Sequence, residues 1–141
     1  MFVVDSRKTW SELATSSLLL KAVASWRVDP GEWLESAFNR LPETVRVNPL
    51  RQDSEWVEQW LKDVGADRIR WFKGPGSAWE MPFTRGSAEG EVRELLKSLH
   101  ETGRITRQEI ASMIPVLAMD ISPGETVLDM CASPGSKTTQ I

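Results

Sequence analysis

The sequence predicts an α/β protein in two parts: a small α+β domain, then the first strand and helix start of a second domain. Helical and strand periodicities alternate along the first hundred residues, which is typical of a small layer of helices on a sheet. The final residues form an apolar run that ends in an acid, then a Pro-Gly turn, then residues suited to begin a helix. A strand, loop and helix start in this order is the arrangement with which α/β proteins hold a ligand.

Length and composition limit the classes of protein that are possible. A chain of 141 residues normally forms one domain, but the final strand has no following units to pair with. We therefore expect one complete domain over residues 1–101 and the truncated start of another over residues 102–141. No apolar run approaches the roughly 20 residues that span a bilayer, so we expect no membrane partner. The single cysteine excludes a disulfide framework and favours the cytoplasm, and the net charge of −3 neither indicates nor excludes nucleic acid.

Two helices are predicted in the first forty residues. Residues 11–25 are rich in Ala and Leu, which favour a helix. A second helix begins at Pro30, with Asp29 as its cap and Glu32 completing a capping box. The apolar residues of this helix recur at helical spacing and predict one core-facing side: Trp33, Leu34, Ala37 and Phe38.

The next segment predicts strand, helix and strand. Residues 44–48 alternate as a strand does, and residues 53–64 are amphipathic, with Gly65 placed to end the helix. We expect its tryptophans, Trp56 and Trp60, to belong to the core. Residues 68–73 form the next predicted strand, and residues 79–83 an edge strand, because Pro82 is unsuited to a central one. This order is typical of ferredoxin-like or RNA-recognition layers.

In the predicted strand at 68–73, side chains should alternate between the two faces of the sheet. We therefore expect Ile69 and Trp71 to point inward, and Arg68, Arg70 and Phe72 to point outward.

Two further helices precede the terminal motif. Residues 92–100 carry leucines at helical spacing, and residues 106–109 predict a capping box that begins a helix running toward Met113. Pro115 should bend or end that helix. The chain then turns into a predicted strand at residues 126–129. Without a sheet to pair with, we expect residues from about Ser122 onward to be poorly ordered or to borrow contacts from the preceding domain.

The terminal loop does not match either common nucleotide motif. A P-loop needs Gly directly before its Lys, but Ser136 stands there, and a dinucleotide fingerprint needs three glycines where this loop has only Gly135. Gly135 lets the backbone approach a ligand. Lys137 in a first helical turn is disfavoured by the dipole by about 0.3–1 kcal/mol, which a bound carboxylate would offset. The alternative is a lysine that points into solvent.

Residues 129–140, Asp-Met-Cys-Ala-Ser-Pro-Gly-Ser-Lys-Thr-Thr-Gln, resemble the S-adenosylmethionine-binding motif of the Sun-domain RNA cytosine-5 methyltransferases. Ser133 replaces the family's more usual Ala. Residues 103–115 resemble the helix before the family's cofactor domain, and Arg46-Val47-Asn48 resembles a strand of its RNA-recognition region. The pattern between Trp71 and Trp79 is most similar to the branch that methylates transfer RNA.

The resemblance implies an RNA-recognition-like domain followed by the first strand and helix start of a Rossmann-like methyltransferase domain. It implies S-adenosylmethionine as cofactor, tRNA as partner, a monomer when full length, and Asp129 steadying the loop. The residues implied to wrap the methionine end of the cofactor are Cys131, Ala132, Ser133, Pro134, Gly135, Ser136 and Lys137.

The family attacks carbon 6 of cytosine with a cysteine thiolate, which makes carbon 5 nucleophilic enough to accept the methyl group. The resemblance places those cysteines beyond Ile141. Cys131 lies in the cofactor loop, so we predict no catalytic residue here and expect the chain alone to be inactive. The alternative, from another class, is an RNA-binding module that retains the motif without chemistry.

RNA contact is predicted for two groups of residues. Trp71 lies among three cations, Arg68, Arg70 and Lys73. These cations could pair with RNA phosphates while the indole ring stacks on a base. The alternative is that these exposed charges are simply solvated. Arg46 and Asn48 lie on one face of a strand, where RNA contact and structural hydrogen bonding are both open. His100 has no partner at ligand spacing, so we expect no metal.

Overall fold

The computed structural model describes residues 18–26, 28–37 and 39–141. The chain divides into two compact units, one within residues 1–40 and one over Leu41–Ile141. None of the helices in these described ranges is long and apolar enough to cross a membrane.

The described residues of the first unit contain two helices, α1 (Leu18–Ala24) and α2 (Pro30–Ala37). The predicted start of α2 at Pro30 is confirmed, since the fixed φ of proline suits the first helical position. The indole rings of Trp26 and Trp33 meet edge to face, with centroids 5.7 Å apart. The part of the first predicted helix before residue 18, the residue Phe38 and the side chain of Leu34 lie outside what the structure describes.

The second unit is built on one antiparallel sheet of four strands in the order β2-β3-β1-β4. The strands are β1 (Pro42–Val47), β2 (Asp67–Arg68), β3 (Ser77–Thr84) and β4 (Ile105–Arg107). The helices are α3 (Ser54–Asp63), α4 (Gly90–Glu101) and α5 (Ile110–Ala118). The predicted α/β class is confirmed at this level. The predicted domain boundary after residue 101 lies within this unit, between the end of α4 and the start of β4.

One face of the sheet packs against α3 and α4. Alternation along β1 directs Val45 and Val47 to this face, where helical spacing brings Val57 and Leu61 from α3. The remaining fully enclosed members of this core are Ala66, Trp79, Met81, Leu96, Leu99 and Ile105. The predicted helices at 53–64 and 92–100 are thus confirmed, and Gly65 ends α3 at a φ of +82°.

The tryptophans of α3 do not both belong to this core. Trp60 is half-buried against it, but Trp56 is 53% exposed, so the prediction that Trp56 is core was wrong. Val57 and Leu61 fill the centre of the stripe, which leaves Trp56 at its outer edge.

The opposite face of the sheet carries a smaller core with α5, formed by Ile69, Phe72, Ala78 and Met113. The prediction of a strand over residues 68–73 was wrong beyond Arg68, because β2 ends there. The N–H of Phe72 donates to the carbonyl of Ile69 at 3.2 Å, and this turn breaks the alternation of a strand. Phe72 is therefore buried and Trp71 is 46% exposed, the reverse of the prediction.

Strand β3 is internal, so the prediction of an edge strand at residues 79–83 was wrong. Pro82 is accommodated because the register between β1 and β3 shifts where it lies: Thr44 pairs with Glu80, but Pro42 pairs with Thr84. Proline lacks the N–H that a regular ladder of hydrogen bonds requires, but a residue in a bulge does not need that N–H.

Helix α5 is capped by Glu109, whose carboxylate accepts from the N–H groups of Ala111 and Ser112. The predicted capping box was wrong, because Thr106 belongs to β4 and pairs with Arg46. Pro115 does not end the helix, because α5 continues to Ala118. Because Pro115 has no N–H, the carbonyl of Ala111, four residues earlier, is the only one in α5 that loses its helical hydrogen bond, and Ala111 is exposed to solvent.

The predicted strand at residues 126–129 is not formed: these residues pair with no strand in the described part of the chain. Only the end of the segment after Ser122 takes hydrogen bonds from the preceding part of the chain, through Ser136, Lys137, Thr139 and Gln140.

Candidate cofactor loop and nucleic-acid interface

The terminal loop, residues 129–141, is closed on itself by Asp129. One carboxylate oxygen accepts from the N–H of Cys131 at 3.0 Å, and the other accepts from the hydroxyl of Thr138 at 2.6 Å. The Thr138 and Cys131 hydrogen bonds, aided by the charge of Lys137, lower the pKa of Asp129 from its ordinary value. Asp129 therefore steadies both ends of the loop as an ionised carboxylate.

After the Pro-Gly turn the chain enters one turn of helical hydrogen bonding. The N–H of Thr139 donates to the carbonyl of Gly135 at 2.9 Å, and that of Ile141 to Lys137 at 3.0 Å. Gly135 has a φ of +98°, a conformation that favours glycine. The N–H groups of Ser136, Lys137 and Thr138 meet no acceptor in the part of the chain that the structure describes. Such N–H groups are available to an anion.

All seven predicted cofactor residues, Cys131 to Lys137, lie on this one loop and are exposed, except for Gly135 and Ser136, which are half-buried. The thiol of Cys131 is free and exposed. The ammonium of Lys137 donates to the Ser112 hydroxyl at 2.9 Å, so it reaches back to α5. In the described ranges, no three side chains of His, Cys, Asp or Glu converge on a possible metal site.

Gln140 docks the end of the loop against the sheet unit. It is 4% exposed, and its side-chain oxygen accepts from Gln108 at 2.8 Å while its NH₂ donates to the carbonyl of Met113 at 3.0 Å. Gln108 is equally buried and also donates to the carbonyl of Ser112 at 3.2 Å. Sequence reasoning missed this pair. One signal was available in the sequence. Thr106 and Gln108 are two residues apart along the direction of β4, so their side chains lie on the same face of the sheet.

Arg46 is buried beneath the same loop. Its Nε donates to Gln108 at 3.2 Å, and one terminal nitrogen donates to the Thr139 hydroxyl at 3.0 Å and to the Ser136 carbonyl at 3.5 Å. Each acceptor is neutral, and desolvation lowers the pKa of Arg46 from its ordinary value. An arginine nevertheless stays charged in proteins, so Arg46 brings a positive charge under the loop.

Asn48, the other polar residue of this strand motif, is held by the backbone. Its NH₂ donates to the carbonyl of Gly103 at 2.9 Å, and its side-chain oxygen accepts from the N–H of Leu50 at 3.0 Å. These contacts tie the end of β1 to the turn before β4. Asn48 thus lies in a structural hydrogen-bond network, and Arg46 is turned toward the terminal loop.

The other predicted RNA contacts, Arg68, Arg70 and Lys73, are all exposed and have no ion partner among the described residues. The exposed indole of Trp71 lies among them. Trp71 and Lys73 also line one side of a cleft of about 580 Å³, whose other lining residues include Gln140 and Ile141. The structure therefore brings the aromatic and one cation of this group toward the end of the terminal loop.

Comparison with known proteins adds the decisive observation. No family model matches the chain. It is 59% identical, over 97% of its length, to the multisite-specific tRNA:(cytosine-C(5))-methyltransferase of Saccharomyces cerevisiae, of which it covers 24%. It is 32% identical, over 80% of its length, to the tRNA (cytosine(49)-C(5))-methyltransferase of Pyrococcus abyssi, of which it covers 34%. Over four fifths or more of its length, the chain is thus similar to RNA cytosine-C5 methyltransferases.

A further similar protein is named for ribosomal RNA. The chain is 30% identical, over 78% of its length, to the 26S rRNA (cytosine-C(5))-methyltransferase nsun-1 of Caenorhabditis elegans, of which it covers 16%. The chain thus spans about a third or less of the family members that it matches.

Proposed function

We propose that the chain is part of an S-adenosylmethionine-dependent methyltransferase that modifies carbon 5 of cytosine in RNA, most specifically tRNA. The closed loop of residues 129–141 carries this proposal, because it joins the family's motif to a set of free anion-binding donors. The tRNA assignment is supported by the names of the matched relatives from Saccharomyces cerevisiae and Pyrococcus abyssi. In this proposal the sheet unit recognises RNA, and the terminal loop begins a Rossmann-like domain.

The residues of the loop fit the methionine end of this cofactor. The free N–H groups after Gly135 and the ammonium of Lys137 suit its carboxylate, and a Cβ added at Gly135 would meet only the Ala132 carbonyl, at 3.8 Å, so this side of the turn is open. Bound cofactor supplies the methyl group. Residues Cys131 to Lys137 bind and orient it, and Cys131 serves as a loop residue and not as the nucleophile.

Calorimetry with S-adenosylmethionine tests the cofactor assignment. We expect the wild-type chain to bind and Lys137→Ala to bind several-fold more weakly, since one charge-assisted contact is lost. Lys62→Ala is the matched control, because Lys62 is an exposed cation on α3 whose ammonium bonds no described residue. RNA binding without any cofactor binding would instead favour the non-catalytic RNA-binding module.

Methyl transfer by the chain alone tests the assignment of no catalytic residue. We expect no incorporation of labelled methyl groups into an unmodified tRNA transcript, because the proposed nucleophile is not among these residues. Incorporation that disappears in Cys131→Ser would overturn that assignment.

The exposed group of Arg68, Arg70 and Lys73 is proposed as an RNA contact, with Trp71 available to stack on a base. The double variant Arg68→Glu, Arg70→Glu should weaken binding of the same transcript by about tenfold or more, as charge reversal replaces two favourable phosphate contacts with repulsion. Unchanged affinity, measured by fluorescence anisotropy beside Lys62→Glu, would remove this surface from the proposal.

A further inference from the structure

A second cationic feature lies beside the terminal loop, away from Arg68, Arg70 and Lys73. It is a groove of about 460 Å³ between the outer edge of β4, the end of α4 and the Pro-Gly turn. Its lining residues carry three basic side chains, Arg85, His100 and Arg107, and no acid. The turn contributes Pro134, Gly135 and Ser136 as the opposite wall.

Arg85 is the arginine in this groove that forms no ion pair with a described residue. Its side chain is exposed and bonds no described residue, and only its backbone N–H is engaged, donating to Leu41 at 2.9 Å. Arg107 is partly neutralised, since its Nε donates to the buried carboxylate of Glu43 at 2.9 Å and its terminal nitrogen also contacts that carboxylate. Arg46, which contacts Ser136 and Thr139 from beneath, adds a further positive charge.

The wall of the groove also presents backbone groups on the outer edge of β4, of which the Ile105 carbonyl lies 3.4 Å from His100 Nδ1. Strand β4 pairs with β1 on one side, and its other edge pairs with no strand in the described ranges. The free N–H of Ser136 lies on the opposite wall. Oxygens of a phosphate backbone accept hydrogen bonds from arginine, from backbone N–H groups and from hydroxyls such as that of Thr106.

We propose that this groove binds the phosphodiester backbone of the RNA substrate next to the terminal loop. The proposal rests on the proposed function, which it deepens by adding a second contact surface. The two surfaces belong to opposite edges of the sheet, since Arg68 ends β2 and the groove follows β4. RNA held at both edges would cross the face on which the terminal loop is docked, which places it beside the proposed methyl donor.

Fluorescence anisotropy with a labelled, unmodified tRNA transcript tests the groove. We expect Arg85→Glu to weaken binding about tenfold, the effect of one charge-assisted hydrogen bond. Arg85→Ala should lower the slope of log K against log salt by about one, because one phosphate contact is lost. Arg85→Lys should retain most of the affinity, since the charge is kept. Lys62→Glu, an equal charge reversal on exposed α3, should change affinity by no more than about twofold because salt screens distant charges.

The outcomes separate the groove from the proposed function. If the wild-type chain binds the transcript and Arg85→Glu binds equally well, the groove is not a contact and the RNA assignment stands. Equal losses in Arg85→Glu and Lys62→Glu would show a response to net charge alone and would also overturn the groove. If the wild-type chain binds no RNA, both the groove and RNA recognition by this unit are overturned.

Discussion

Gln108 and Gln140 form a buried side-chain pair, in which Gln108 donates to Gln140 at 2.8 Å across a separation of 32 residues. Both side chains are 4% exposed, and Arg46 contacts Gln108 from the same side. This pair attaches the terminal loop to the sheet unit through hydrogen bonds rather than through apolar packing. Buried amides are costly to leave unpaired, so the attachment depends on both partners being present.

Replacing Gln140 with Ala should release the loop without unfolding the sheet. The change removes a hydrogen bond to the Met113 carbonyl and leaves one Gln108 donor unsatisfied, a cost of about 1–3 kcal/mol. Hydrogen exchange should therefore speed up at the amides of residues 139–141 and stay unchanged in β1. Faster exchange throughout the sheet would show that Gln140 stabilises the whole unit instead.

Acidification should open the loop at Asp129. Hydrogen bonds from Thr138 and Cys131 lower its pKa, so the carboxylate favours the closed loop at every pH above the ordinary aspartate range. That contribution is lost as the pH falls through the lowered pKa, because the protonated group accepts these bonds poorly. The amide resonances of Cys131 and Thr138 should titrate together in that acidic window. In Asp129→Asn both resonances should lose this titration.

Removing one partner of the ion pair between Glu43 and Arg107 should lower the free energy of unfolding more than replacing both partners with apolar side chains. Removing the guanidinium in Arg107→Leu leaves Glu43, 2% exposed, with only the Gly86 N–H at 3.3 Å. We expect a loss of about 2–3 kcal/mol in the free energy of unfolding, below the range for fully buried pairs because the Arg107 side chain is 36% exposed.

The double variant Glu43→Leu, Arg107→Leu should recover most of that loss, since neither charge is then buried alone. Urea denaturation of the wild type, both single variants and the double variant measures the coupling. Additive losses in the two single variants would contradict it.

Gly76→Ala should destabilise the unit by about 3 kcal/mol or more. Gly76 has a φ of +75°, and an added Cβ would clash with the Val47 carbonyl oxygen in β1. Gly86→Ala is the matched control, because its φ is +82° but no heavy atom lies within 4 Å of an added Cβ. The control should lose only the conformational cost of about 1–2 kcal/mol. Equal midpoints of denaturation for the two variants would refute the clash.

Features that depend on neighbouring residues could be predicted from the sequence. Helical spacing placed α3 and α4 correctly, Pro30 marked the start of α2, and Gly65 marked the end of α3. The terminal motif indicated the methyltransferase family without any structure, because its residue types are consecutive. Each of these signals is complete within one or two turns of chain.

Contacts between side chains that are distant in sequence could not be predicted in this way. Arg46 and Thr139 lie 93 residues apart, and nothing local to either predicts that a buried guanidinium supports the terminal loop. A turn after Arg68 exchanged the directions expected for Trp71 and Phe72, and a shift of register accommodated Pro82 in an internal strand. Periodicity gives a side chain its direction only while the local backbone stays regular, whereas bulges, turns and docked loops depend on what packs against them.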